Sequence, residues 1–130
     1  MAMHRAAPLK VFLADDSAAI RERIAQLLSA RAMDIVGEAE TPQGCIAGIL
    51  ATHPDVVVLD VQLEGGTGLE VLREVRQAEP GIAFVVFSNN SHPAYRKRYL
   101  GHGAAQFLDK SAEFDQLAQA VVHACPRTVH

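Results

Sequence analysis

Three runs in this chain are apolar at every position instead of every second one: Val11-Phe12-Leu13-Ala14, Val56-Val57-Val58-Leu59 and Ile82 to Phe87. An alternating strand keeps one face in water, whereas a strand apolar throughout is covered on both faces. Longer segments with apolar residues at helical spacing separate these runs. After Lys10 to Ala14, Ser17 is placed to cap a helix with Ile20, Ile24, Leu27 and Leu28 on one face and Arg21, Glu22 and Arg23 outward. Asp34 to Ala39 reads as a strand, and Thr41-Pro42 as a cap plus first-turn proline opening a helix through Ile46, Ile49 and Leu50. Pro54 ends that helix. A glycine-rich loop, Glu64 to Gly68, leads into a helix carrying Leu69, Leu72 and Val75, broken at Pro80-Gly81. Pro93 opens a basic helix with Tyr95, Arg96, Lys97, Arg98 and Tyr99, ended by Gly101 and Gly103. Ala105 to Leu108 is a short strand. Ser111 is placed to cap a last helix with Phe114, Leu117, Ala118, Val121 and Val122 along one apolar face.

The pattern is a strand followed by a helix, five times, which predicts an α/β fold: a doubly wound parallel sheet of five strands in the flavodoxin-like order 2-1-3-4-5, with five helices. A length of 130 residues suits one domain, with a core over about residues 9–124 and no space for an output domain behind it. Hydrophobic residues at 49% and charged residues at 21% exclude a disordered chain. The net charge of −3 speaks against direct binding to nucleic acid or an anionic membrane. No apolar run approaches the roughly 18 residues of a membrane span. No apolar stretch follows Met1-Ala2-Met3-His4-Arg5, so a signal peptide is not expected. Cys45 and Cys125 stand far apart and in no CxxC motif, so reduced thiols and a cytoplasmic location are expected. His4, His53, His92, His102, His123 and His130 are scattered without metal-ligand spacing.

This fold binds ligands beyond the carboxyl ends of its strands, where the strand order reverses. The first strand ends at Asp15-Asp16, the third at Asp60, the fourth at Ser88 and the fifth at Lys110. Crowded carboxylates repel one another and either take raised pKa values or capture a cation. Hard oxygen ligands with open positions suit Mg²⁺, which readily accepts a phosphate oxygen. A carboxylate nucleophile, a divalent ion, a lysine and a hydroxyl are what phosphoryl transfer needs, and Asp60 is the candidate nucleophile.

In these residues the sequence resembles the receiver domain of two-component response regulators, of the stand-alone chemotaxis-regulator type, from about Lys10 to Val122. The acidic pair Asp15-Asp16, Asp60 closing Val-Val-Val-Leu-Asp, Ser88 closing Phe-Val-Val-Phe-Ser, and Gly103 to Lys110 match in order and element. The resemblance implies that Asp60 accepts a phosphoryl group from a sensor histidine kinase, a phosphotransfer protein or a small donor. It implies a Mg²⁺ site made by Asp15, Asp16, Asp60 and the backbone carbonyl of Gln62. Ser88 and Lys110 would bond the phosphoryl oxygens, and Phe107 would be the aromatic switch that rotates inward when Ser88 moves. The surface of the fourth helix, fifth strand and fifth helix would then meet a downstream protein or a second receiver. Such a protein is a phosphoacceptor assisting its own chemistry, not an enzyme acting on a separate substrate.

Some residues depart from the family pattern. Ser111 stands where the family often has a proline after the lysine, so a trans bond is expected there. Leu63-Glu64 replaces Met-Pro after Asp60, with Leu63 able to do the same apolar job. Phe107 replaces the common tyrosine. Arg96-Lys97-Arg98 reads as a solvated face or protein-binding surface, and Tyr95 and Tyr99 either join it or turn into the core. Three alternatives stand beside this reading. One is a receiver cut from a longer DNA-binding transcriptional regulator. Another is an aspartate-nucleophile phosphatase of the haloacid-dehalogenase kind, although Asp60-Val61-Gln62 lacks that family's second acid. The third is a flavodoxin, whose phosphate would be repelled by Asp15-Asp16.

Overall fold

The computed structural model describes residues 7–126, so Met1 to Arg5 and His130 lie outside the described residues. The chain runs β1 (Lys10–Ala14), α1 (Ala18–Ser29), β2 (Asp34–Ala39), α2 (Pro42–Thr52), β3 (Val56–Leu59), β4 (Gln62–Leu63) and β5 (Gly66–Thr67). It continues with α3 (Gly68–Ala78), β6 (Ala83–Ser88), α4 (Pro93–Gly101), β7 (Gln106–Asp109), a 3₁₀ turn at Phe114–Gln116 and α5 (Leu117–Ala124). Five strands form one parallel sheet in the order β2-β1-β3-β6-β7. Counting only these strands, this is the expected 2-1-3-4-5. β4 and β5 pair antiparallel within the glycine-rich loop, a small hairpin that the sequence reading left as plain turn.

The apolar runs are explained by two cores. Phe12, Ala14, Val57, Leu59, Phe84, Val86 and Phe107 face α2, α3 and α4, meeting Cys45, Ile49, Val71, Leu72, Val75 and Tyr99. Their strand neighbours Val11, Leu13, Val56, Val58, Val85, Phe87 and Leu108 face α1 and α5, meeting Ile24, Leu28, Leu117, Ala118 and Val121. Each such side chain contributes about 1.5–3 kcal/mol when buried. Because successive strand residues point to opposite faces, a run such as Val56–Leu59 needs apolar residues at every position.

The predicted caps hold for the first two helices. Ser17 accepts from the Ile20 N–H at 3.2 Å, and Thr41 accepts from the Gly44 N–H at 3.1 Å. The last helix differs from the sequence reading. Ser111 caps nothing: its N–H and hydroxyl are both taken by Asp109 Oδ1, at 2.8 and 2.6 Å. This local capture delays the helix, which begins as a 3₁₀ turn and becomes α-helical only at Leu117. Val122 stands 47% exposed, while Leu117, Ala118, Ala120 and Val121 form the buried face. β6 and β7 each start one residue later than expected, after Ile82 and Ala105. No peptide bond among the described residues is cis, in line with the expectation at Lys110-Ser111. Among the described residues no helix is long and apolar enough to cross a membrane.

Both cysteines are free thiols. Cys45 lies on the buried face of α2, and that burial pushes its thiol up to about 12. A maleimide or iodoacetamide reagent at pH 8 should therefore modify one cysteine in the native protein, Cys125, and two in denaturant. Intact mass before and after unfolding checks the count.

Candidate functional site

Parallel register brings the site together. Ala14 pairs with Leu59, and Leu59 with Val86, so the residues that follow emerge at one edge of the sheet. Asp15 and Asp60 are 3% and 8% exposed, Ser88 is 1% exposed, and Asp16 lies outward. Carboxylate oxygens of Asp15, Asp16 and Asp60 all fall within 4.8 Å of one another. Lys110, at the end of β7, reaches across this edge. Its Nζ lies 2.5 Å from Asp15 Oδ2 and 2.8 Å from Asp60 Oδ2.

The remaining bonds fix each acid. Asp60 Oδ1 accepts from the Val61 N–H at 2.7 Å, and Asp15 Oδ1 from the Ser17 N–H at 2.9 Å. Burial raises the Asp15 pKa above its ordinary value even with Lys110 and Ser17 opposing it. Burial also works against the Lys110 ammonium, yet its bonds to Asp15 and Asp60 prevail and lift its pKa. One ammonium against three acids leaves net negative charge, and the oxygen-only donor set is the kind a hard divalent cation takes. The residues present fit Mg²⁺. Gln62, the fourth candidate, pairs with Thr67 in the hairpin and keeps its side chain exposed.

Ser88 sits at the same edge, its Oγ accepting from the Asn90 N–H at 3.0 Å. Phe107 is 3% exposed, with Tyr99 set edge-on at 6.2 Å between ring centroids. Leu63 is buried as expected and Glu64 is exposed. Of the two tyrosines, Tyr99 turns into the core and Tyr95 stays 43% exposed. Burial holds the Tyr99 phenol at about 12, so it remains a donor, bonding Val61 O at 3.3 Å.

Two supporting residues escaped the sequence reading. Arg21 does not point outward: its side chain is 14% exposed, and Nη1 donates to the Asp15 carbonyl at 2.6 Å while Nε meets Glu38 at 3.0 Å. Its place in the first turn of α1, four residues past the cap, was the available signal, because that position leans back over the strand end. Gly68 was read as part of a turn. Its N–H donates to Val61 O at 2.8 Å, and a Cβ there would lie 2.0 Å from the Asp60 carbonyl oxygen. No side chain fits between α3 and the backbone of Asp60.

A doubly wound sheet with acids on its two central strands and a lysine from the edge strand defines a class of α/β domains with an acidic pocket at the switch point. The sequence profile of the response regulator receiver domain matches residues 11–122. The chain belongs to the receiver-domain family of two-component response regulators. It is 30% identical over 114 residues to response regulator GacA of Pseudomonas aeruginosa, aligning 87% of this chain with 53% of that protein. It is 32% identical over 114 residues to the DNA-binding transcriptional activator DevR/DosR of Mycobacterium tuberculosis, covering 87% of this chain and 52% of that one. The chain thus spans about half the length of these relatives. A two-component response regulator of the LuxR family from Aurantimonas superposes with a TM-score of 0.85 at 27% identity, covering 90% of this chain and 84% of that one. Response regulator TrrA of Thermotoga maritima, solved with Mg²⁺ and BeF, gives 0.80 at 27%, covering 89% and 98%.

The raised Asp15 pKa fixes a sign. The folded state holds that proton more tightly than the unfolded chain, so stability falls as pH rises from 3.8 through the folded value. Ionised Asp15 is therefore a net cost at neutral pH. Asp15→Asn should raise the urea midpoint at pH 7 without divalent cation, and the gain should shrink on acidification through that window. Gly68→Ala should lower stability by about 1–3 kcal/mol, the usual cost of forcing atoms into filled space, read from the fall in urea midpoint.

Proposed function

We propose that this chain is a phosphoacceptor of two-component signalling, in which Asp60 takes a phosphoryl group and thereby switches the surface of α4, β7 and α5. The observation that carries this reading is the buried carboxylate of Asp60, held by an ammonium at 2.8 Å beside two further acids. An Asp60 oxygen forms a bond to phosphorus while the bond from phosphorus to the donor atom breaks. The departing pair of electrons leaves with the donor, and the product is an acyl phosphate. Asp15, Asp16, Asp60 and the Gln62 carbonyl would hold Mg²⁺, which when bound neutralises these carboxylates and the phosphoryl oxygens. The TrrA structure with Mg²⁺ and BeF supports that role for a relative of this fold.

Lys110, shared between Asp15 and Asp60, is placed to follow the new phosphoryl oxygens. Ser88 uses its acceptor side toward Asn90, which leaves its O–H to donate to the phosphoryl group. Movement of Ser88 toward that group would open space beside β6, and the Phe107 ring, already buried in this structure, would hold its inward position more firmly. The donor is a sensor histidine kinase, a phosphotransfer protein or a small acyl phosphate. The reader is a downstream protein or a second receiver on the α4, β7 and α5 surface. No separate substrate is transformed, no direct nucleic-acid contact is needed, and the reaction belongs in the cytoplasm.

A second reading, a receiver segment of a longer DNA-binding regulator, is favoured by relatives in which the matched segment is about half of the protein. An immunoblot of native cells separates the two, since the stand-alone protein runs at 14.0 kDa.

Incubation with acetyl phosphate should add one phosphoryl group in Mg²⁺ by intact mass, and none in Asp60→Asn or in excess chelator. Absence of modification in wild type under conditions that label another receiver would sink the reading. Labelling that survives Asp60→Asn would move the acceptor elsewhere.

A further inference from the structure

We propose that Arg96 is the positioning residue of the aromatic switch, clamping Phe107 inward and tying that position to the loop that carries Lys110; the coupling to Asp60 rests on the phosphoacceptor reading above. Three contacts made by one guanidinium carry the inference. Its central carbon lies 5.1 Å from the Phe107 ring centroid, within cation–π range. Nη1 donates to the carbonyl of the same residue at 2.9 Å. Nη2 lies 4.0 Å from Glu113 Oε1, and that oxygen accepts from the Asp109 N–H at 3.0 Å. Arg96 therefore holds the ring and backbone of Phe107, and through Glu113 it grips the residue immediately before Lys110.

The other side of the loop is fastened as well. Asp109 Oδ2 accepts from the Ser91 hydroxyl at 2.7 Å, three residues past Ser88. The hydrogen bonds from Ser111 and Ser91 hold the Asp109 carboxyl below its ordinary pKa, so it stays an acceptor. The loop after Ser88, the start of α4 and the arm of Lys110 are thus joined around Phe107. Arg96 is the member of this set that touches the ring, and it comes from the helix whose surface is to be read. A planar fork is required to serve a ring, a carbonyl and a carboxylate together, and a lysine cannot do this.

Population gives the direction: with the ring inward in the reactive state, a group that favours that position raises the reactive population and with it the labelling rate. Removing Arg96 should therefore loosen the ring and slow phosphorylation together.

The test uses phenylalanine- and tyrosine-labelled protein. In Arg96→Ala the Phe107 ring resonances should shift and the cross-relaxation with Tyr99 should drop, with neither Mg²⁺ nor donor present. Labelling by acetyl phosphate in Mg²⁺ should slow about fivefold or more, fivefold being the low end of a cation–π contact and one hydrogen bond combined. Arg96→Lys should fall short of wild type in both readouts, whereas the exposed neighbour Lys97→Ala should match it. Unchanged ring signals in a folded Arg96→Ala protein would overturn the clamp. A displaced ring with labelling within about twofold of wild type would overturn the coupling to Asp60. Failure of wild type itself to label would instead remove the phosphoacceptor reading and the coupling with it, while the ring signals still decide the clamp.

Discussion

A lysine from the last strand of the sheet sits between two buried carboxylates from the first and third, and the site depends on that contact. The Nζ of Lys110 within 2.8 Å of both Asp15 and Asp60 makes it possible to bury these acids at all. Removing Lys110 would leave two buried acids without their cation in low dielectric, a cost of about 3–5 kcal/mol. The contact needs β7 at its edge of the sheet and β1 and β3 side by side, so it samples most of the topology at once. Its weakness is equally informative. One cation cannot satisfy three carboxylates, and the residual negative charge suits the pocket to a hard divalent cation.

Around that contact the surrounding backbone acts as a set of braces. Arg21 holds the Asp15 carbonyl from α1, Gly68 brings α3 against the Asp60 carbonyl, and the Val61 carbonyl receives both the Gly68 N–H and the Tyr99 hydroxyl. Tyr99 then meets Phe107 edge-on, and Arg96 meets Phe107 from α4. A short path of packed groups thus leads from the backbone beside Asp60 to the surface helix α4. The path is contiguous in space although its members are spread over residues 60 to 107.

The reading of the sequence succeeded where one residue type admits one explanation. Apolar strands such as Val56–Leu59 needed cover on both faces, and two cores provide it. Asp15, Asp60, Ser88 and Lys110 were legible because each follows a strand, and parallel strands deliver their ends to one edge. It failed where two local uses of a residue compete. Ser111 could cap a helix or bond Asp109, and Asp109, one turn of loop away, captured both its donors. Arg21 had the spacing of an exposed position, yet the strand end beneath it offered a carbonyl at 2.6 Å. Tyr95 and Tyr99 are four residues apart on one helix, and only packing could decide that the second is buried and the first is not.

The sequence by itself determined the five-stranded parallel sheet, the strand ends that bear chemistry and the likeness to receiver domains, because hydrophobic period and residue order are local properties of the chain. Tertiary structure alone decided how those ends are held. The bridging of Asp15 and Asp60 by Lys110, the contact of Arg96 with Phe107 and the close approach of Gly68 to Asp60 each join residues carried by different elements. Distances between such groups follow from strand register and helix docking, which no local pattern encodes.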